Sequence, residues 1–140
     1  MKTMPKTLRN KIICLLGLGL VGLFLTGCMF DVSHVKLAPV SFAATTGPAH
    51  SFVLNQNVDA RLGTGFPTRL DALTRWHQVG TTEYGDVFAT KDQIVTVESS
   101  NIYEAQLVVS NRCITGFYLP VDLKFVSVGH PIPIEIKSFN

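Results

Sequence analysis

The sequence lacks the residue spacings that mark a metal site or a catalytic centre. Its histidines are scattered, and their separations fit no compact zinc signature; they are His34, His50, His77 and His130. An acid–base role for His77 requires a carboxylate within hydrogen-bond reach, and the candidates are Glu83, Asp86 and Glu104. A solvent-facing strand histidine next to Trp76 is the simpler interpretation. We therefore predict no enzymatic activity, no cofactor, no bound metal and no small-molecule substrate.

The N-terminus lacks acidic residues up to Asp31. It begins with a basic stretch that contains Lys2, Lys6, Arg9 and Lys11, and residues 12–25 then carry no charge. A basic start, an apolar segment and an exit of small residues are typical of a secretory signal. Residues 12–30 are also close to the roughly 20 residues that span a bilayer, so an uncleaved transmembrane anchor is the alternative. Both interpretations export the rest of the chain.

The apolar segment ends in the tetrapeptide Leu25-Thr26-Gly27-Cys28, which resembles the lipobox of bacterial lipoproteins. The resemblance covers residues 1–29. It implies that signal peptidase recognises Leu25, Thr26 and Gly27, cuts before Cys28, and leaves acyl chains such as palmitate on Cys28. Two or three acyl chains hold a protein durably to a membrane. In Gram-negative lipoproteins an aspartate directly after the cysteine favours the inner membrane, so Met29 implies the outer membrane, facing the periplasm.

Processing at Cys28 changes both the cysteine count and the charge of the chain. Cys14 is discarded with residues 1–27 and Cys28 is blocked, so no intramolecular disulfide is available to Cys113. We expect Cys113 to be a buried strand residue or, alternatively, a free thiol that pairs with another protein. Residues 1–27 hold four of the 12 Lys and Arg and none of the 10 Asp and Glu, which leaves a formal charge of −2. This removes the compositional support for nucleic-acid binding.

Residues 28–57 are predicted to form a lipid-anchored tether, although they contain more apolar residues than a pure spacer. This arm either docks back on its own domain or adds to a partner as a strand; we favour a flexible arm with one adhesive segment. From Val58 onward, short strands recur every eight to twelve residues between polar turns. No strand–helix alternation, repeat or low-complexity tract is present, which argues against a nucleotide-binding α/β sheet.

Residues 58–140 are therefore predicted to be a small all-β domain of about six strands. A curved barrel or a sandwich would fit, and we favour an SH3-like barrel. A tight two-residue hairpin link is expected at Asn111-Arg112. The main packing residues are predicted to be aromatic: Trp76, Phe88, Tyr103, Phe117, Tyr118 and Phe125.

Phe117 and Tyr118 are the candidate partner-binding residues. Consecutive strand residues point to opposite faces, so one of the two is partly exposed unless the strand is covered on both sides. An exposed aromatic residue near Pro120 suits protein binding, but packing at the end of a small barrel is the interpretation we favour. We expect a lipid-anchored envelope protein that binds an envelope protein partner without catalysis, such as an accessory subunit of an envelope or secretion assembly. The alternative is an immunity or inhibitor lipoprotein that blocks a toxin or hydrolase.

Overall fold

The computed structural model describes residues 36–62 and 67–139, and these residues form β-strands without any helix. The all-β prediction is therefore confirmed. The strands are β1 (Leu37–Pro39), β2 (Ala43–Ala44), β3 (Ser51–Leu54), β4 (Val58–Arg61), β5 (Pro67–Leu70), β6 (Arg75–Thr82), β7 (Gly85–Ala89), β8 (Thr96–Glu98), β9 (Ile102–Glu104), β10 (Gln106–Ser110), β11 (Cys113–Leu119), β12 (Lys124–Pro133) and β13 (Ile136–Phe139). Within this part of the chain, no helix is long and apolar enough to cross a membrane.

Nine strands form one antiparallel sheet. Its order is β1-β12-β11-β10-β7-β6-β3-β13, and β2 lies on the edge of β6. The end strands β1 and β13 do not pair with each other, so the sheet is open and the SH3-like barrel favoured from the sequence is not closed. Two ribbons, β4–β5 and β8–β9, lie outside this sheet. The described residues form 13 strands, more than the predicted six: the arm contributes β1, β2 and β3, one predicted strand is divided into β9 and β10, and further short strands lie between these.

The divided strand is the stretch from Ile102 to Ser110, which the sequence predicts as one long strand. The structure interrupts it at Ala105, whose backbone N–H donates to the carbonyl of Val95 at 2.9 Å. On one side of this break β9 pairs with β8, and on the other β10 pairs with β7 and β11. The interruption lets one stretch of the chain contribute a strand both to a ribbon and to the main sheet.

The link between β10 and β11 agrees with the predicted hairpin. Ser110 pairs with Cys113, and both link residues have positive φ, 50° for Asn111 and 60° for Arg112. Two successive left-handed residues give the turn twist that matches the right-handed twist of the flanking strands. Asparagine tolerates this conformation better than most residues, which explains its place at the turn.

Register shifts bend the main sheet. They occur in β6 between Gln78 and Gly80, in β10 between Val108 and Val109, and in β11 between Ile114 and Gly116. An extra residue in one strand increases the local twist and curvature. At Gly116 a Cβ atom would lie 2.6 Å from the ring of Phe125, so only glycine lets the β12 aromatic ring lie flat against β11.

Both faces of the bent sheet carry a core. The larger cluster includes Trp76, Leu107 and Phe117, and residues of both ribbons pack into it. The smaller cluster on the opposite face consists of Val87, Val108, Tyr118 and Phe125. Of the predicted packing residues, Tyr103 is half-buried against the larger cluster and the others are buried.

The predicted tether is part of this domain over residues 36–57, which is a correction of the expected boundary at Val58. β1 pairs with β12, while β2 and β3 pair with the same edge of β6. The physical reason is burial of apolar arm residues: Phe52 and Leu54 enter the larger cluster, and Val40 and Phe42 cover the smaller one. The arm therefore docks on its own domain, as the first of the two sequence alternatives proposed. Residues 28–35 lie outside the described residues.

Candidate functional site

The predicted lipidation motif cannot be located in the fold. Leu25, Thr26, Gly27 and Cys28 lie outside the described residues, as does His34. Lipid attachment and cleavage before Cys28 therefore remain predictions from the sequence. Among the described residues the first strand, β1, starts at Leu37.

Phe117 and Tyr118 are both packed inside the domain, as the favoured interpretation expects, so these candidate residues do not form a partner-binding surface. Phe117 is 0% exposed in the larger cluster, and Tyr118 is 2% exposed on the other face. The ring of Phe42 stacks on Tyr118 with a centroid distance of 4.9 Å and an interplanar angle of 6°. Burial raises the pKa of the Tyr118 phenol above its ordinary value. The strand is covered on both faces because the arm supplies the second cover, so a partner must bind elsewhere.

The residues considered for acid–base or metal chemistry are dispersed. His50 and His130 are exposed, and His77 lies half-buried on β6 without a hydrogen bond or ion pair to a carboxylate of the described chain. Glu104 is exposed on β9. Across residues 36–62 and 67–139, no three His, Cys, Asp or Glu side chains come together in a way that could hold a metal ion. Cys113 is half-buried at the start of β11 and is a free thiol.

Large apolar side chains are exposed mainly in the connections between strands. The clearest cases are Leu73 (77% exposed), Ile94 (86%), Ile102 (71%), Val121 (87%) and Leu123 (57%). Scattered exposed apolar residues are common on protein surfaces, so exposure alone assigns no role. What distinguishes Leu73 and Ile94 is that their two connections are held rigidly against each other.

We call these two connections, residues 71–74 and 90–95, the loop pair. The side chain of Gln93 joins them: its Oε1 accepts hydrogen bonds from the Asp71 backbone N–H at 2.8 Å and from the Thr74 hydroxyl at 3.3 Å. Its Nε2 donates to the Arg69 carbonyl at 3.1 Å. Asp92 adds a fourth bond, because its carboxylate accepts from the Arg75 backbone N–H at 2.8 Å. Side-chain hydrogen bonds thus connect the two loops in place of the backbone hydrogen bonds of a regular strand pair.

Leu73 holds an uncommon backbone conformation within the loop pair. Its φ is 65°, a left-handed conformation that costs a non-glycine residue roughly 1–2 kcal/mol. Its N–H donates to the Leu54 carbonyl at 2.9 Å, and the Leu54 N–H donates to the Thr74 carbonyl at 3.3 Å. The fold therefore fixes an apolar side chain outward at a strained position. No sequence pattern predicts this conformation, since leucine is not a turn residue.

A shallow groove lies on the sheet where β3 meets β6. Its described lining consists of Ser51, Phe52, Val53, Arg75, Trp76 and His77. Phe52 and Trp76 pair across the two strands and pack into the larger cluster, whereas Ser51, Val53, Arg75 and His77 occupy the alternate positions of the same strands. The groove therefore has a mixed apolar and polar lining, in which Arg75 is the one Lys or Arg among the described residues.

Comparison of the chain with protein-family models, with curated proteins and with solved structures finds no match.

Proposed function

We propose that this protein is a lipid-anchored component of the bacterial cell envelope that acts by binding another envelope protein, without catalysis. The anchor is Cys28, the membrane is the outer membrane, and the domain faces the periplasm. The basic start, the apolar segment and the lipobox-like tetrapeptide support the anchor. The position of β1 supports a short connection, because the chain from Cys28 to Lys36 spans at most about 28 Å.

The loop pair is the proposed partner-binding surface, and the exposed Leu73 at positive φ is the observation that carries it. Strained, exposed positions that the surrounding structure holds in place are concentrated at functional sites. The loop pair presents Leu73 and Ile94 without a loop-ordering cost on binding, since the bonds of Gln93 and Asp92 already fix both connections. Protein–protein interfaces usually have an apolar centre that is surrounded by polar residues.

The test joins mass spectrometry to site-specific crosslinking in the native host. Intact mass of the membrane-extracted protein should show a chain that begins at Cys28 and carries acyl mass. A photo-crosslinking residue at Ile94 should capture one defined envelope protein, and the substitution Leu73→Ser should reduce that crosslink strongly. The matched control is the same photo-crosslinking residue at Asp59, an exposed position on β4.

Two results would overturn the proposal separately. A full-length unmodified mass would replace the lipid anchor by a transmembrane segment within residues 12–30. Equal crosslinking from Ile94 and Asp59, or a crosslink that is insensitive to Leu73→Ser, would remove the loop pair as the binding surface.

A further inference from the structure

The β8–β9 ribbon has an edge without a neighbouring strand among the described residues. β9 pairs with β8 on one side only. The N–H of Ala105 donates to the Val95 carbonyl, so the backbone groups of Ala105 point toward the β8 side. In an antiparallel pair, hydrogen-bonded residues alternate with residues whose backbone groups point away from the partner strand. The backbone groups of Tyr103 therefore point to β8, and those of Ile102 and Glu104 point to the free edge.

Ile102 and Glu104 also expose their side chains on the outer face of the ribbon. Ile102 is 71% exposed and Glu104 is exposed, whereas Tyr103 between them packs against the larger cluster. We call Ile102 and Glu104 the β9 edge. Charged side chains often protect an edge strand against pairing with another chain. A charge beside an exposed isoleucine does not exclude every strand, because it favours those that carry the opposite charge.

The charge of Glu104 is not neutralised by the described part of the chain. Its neighbour on β8 is Thr96, and its diagonal neighbour on the same face is Glu98, a like charge at a Cα distance of about 7–8 Å. Lys91 lines a groove on the β8 side of Glu104, together with Val95, but forms no ion pair with it. The position opposite Glu104 on the free side therefore favours a cation from another chain.

The β9 edge is continuous with the loop pair. Ile94 of the loop pair and Glu104 line the same groove, which has a volume of about 330 Å³. Ile94 is 86% exposed, so exposed isoleucines lie on both sides of the glutamate. A partner that contacts Ile94 is therefore close enough to place one of its own strands beside β9, at the usual strand spacing of about 4.8 Å.

We propose that the β9 edge binds a strand of the partner protein, with a lysine or arginine opposite Glu104 and an apolar residue opposite Ile102. The inference rests on the proposed function for the existence of a protein partner, and it adds the chemistry of the contact. In strand addition the main-chain hydrogen bonds give affinity, and the side chains give specificity. The outward backbone groups of the β9 edge supply these hydrogen bonds, and Glu104 disfavours an acidic strand.

Amide hydrogen exchange of the membrane-extracted protein in detergent tests the inference. The probe is the peptide threonine-lysine-valine-valine-lysine-threonine, which places a lysine and a valine two positions apart in either strand orientation. At a peptide concentration ten times the Kd, exchange of the Ile102 and Glu104 amides should slow about tenfold, because only about a tenth of the protein is unbound. The Tyr103 amide points to β8 and is the internal reference. The same peptide with glutamate in place of lysine should not bind.

Two substitutions separate the charge from the backbone contribution. Glu104→Gln keeps the N–H and should raise the Kd of the lysine peptide about twofold to fivefold, the range of exposed charge pairs; Glu83→Gln, at an exposed turn position, is the matched control. Ile102→Pro removes an outward N–H, which a free edge tolerates, and should abolish binding, whereas Ile102→Ala should only weaken it. If Ile102→Pro does not fold, Glu104→Gln still decides.

Several results overturn the inference: unchanged exchange at Ile102 and Glu104 with the lysine peptide, equal binding of the lysine and glutamate peptides, or equal Kd values for Glu104→Gln and Glu83→Gln. These outcomes are distinguishable from failure of the proposed function. The intact mass and the crosslink from Ile94 test the proposed function without the peptide. If exchange is unchanged while the Ile94 crosslink persists, the partner binds the loop pair without adding a strand.

Discussion

Removal of the Phe42 ring is the sharpest test of how the arm contributes to the domain. Phe42 is half-buried, stacks on Tyr118 at 4.9 Å and packs against the smaller cluster. Truncation of a buried phenylalanine to alanine costs about 3–5 kcal/mol, and an aromatic pair contributes about 0.5–1.5 kcal/mol of its own. Because Phe42 is only partly buried, we expect Phe42→Ala to lower the free energy of unfolding by about 2–3 kcal/mol.

Urea unfolding measures this change and also tells whether the arm unfolds with the domain. The midpoint should fall while the slope stays unchanged, because the slope scales with the surface exposed on unfolding. The control is Ser41→Ala at the exposed neighbouring position, which should change stability by less than about 0.5 kcal/mol. A loss below about 1 kcal/mol for Phe42→Ala, or hydrogen exchange at residues 40–45 as fast as in a free peptide, would refute the docked arm.

Three further changes test individual features of the fold. Tyr118→Phe should reduce the loss of stability above about pH 10. Burial raises the pKa of the folded Tyr118 phenol, so its contribution to stability is complete below the unfolded pKa and is lost as the pH rises from that value through the folded pKa. Urea midpoints from pH 8 to 11 measure this loss, and identical profiles for the two proteins would contradict it. Leu123 has φ 51° and is 57% exposed, so its backbone is strained and its side chain loses little when removed. Leu123→Gly should therefore raise the free energy of unfolding by about 0.5 kcal/mol, and Leu123→Val should lower it by about 1 kcal/mol. The reverse order of melting temperatures in thermal unfolding would contradict the backbone strain. Gly116→Ala should lower the free energy of unfolding by more than about 2 kcal/mol, since the added methyl group would meet the Phe125 ring and the Val126 carbonyl. An unchanged melting temperature would contradict this, because it would show that the sheet can move to make room for the methyl group.

The strands were predictable where local chemistry alone determines them. The alternation at Val58–Arg61 and the two-residue link at Asn111-Arg112 both specify their structures without help from distant residues. The break at Ala105 was not predictable, because it depends on a hydrogen bond to the Val95 carbonyl that forms only after the ribbon folds over the sheet. The extent of the open sheet was not predictable for a related reason: the sequence indicates a tether over residues 28–57, whereas strands within residues 36–57 occupy the edges of β6 and β12.

The burial of both Phe117 and Tyr118 has the same origin and shows what the arm does. Two adjacent large residues on one strand point to opposite faces of the sheet, so both faces need apolar residues packed on them. A domain that started at Val58 would leave one of these faces exposed. Gly80 leaves room for the arm, because an added Cβ would collide with the Phe42 ring and the Ala43 carbonyl. The arm thus packs against both Tyr118 and Gly80 through the ring of Phe42. Its apolar residues are core residues brought in from the N-terminal side, and the surface that we propose for a protein partner is the loop pair.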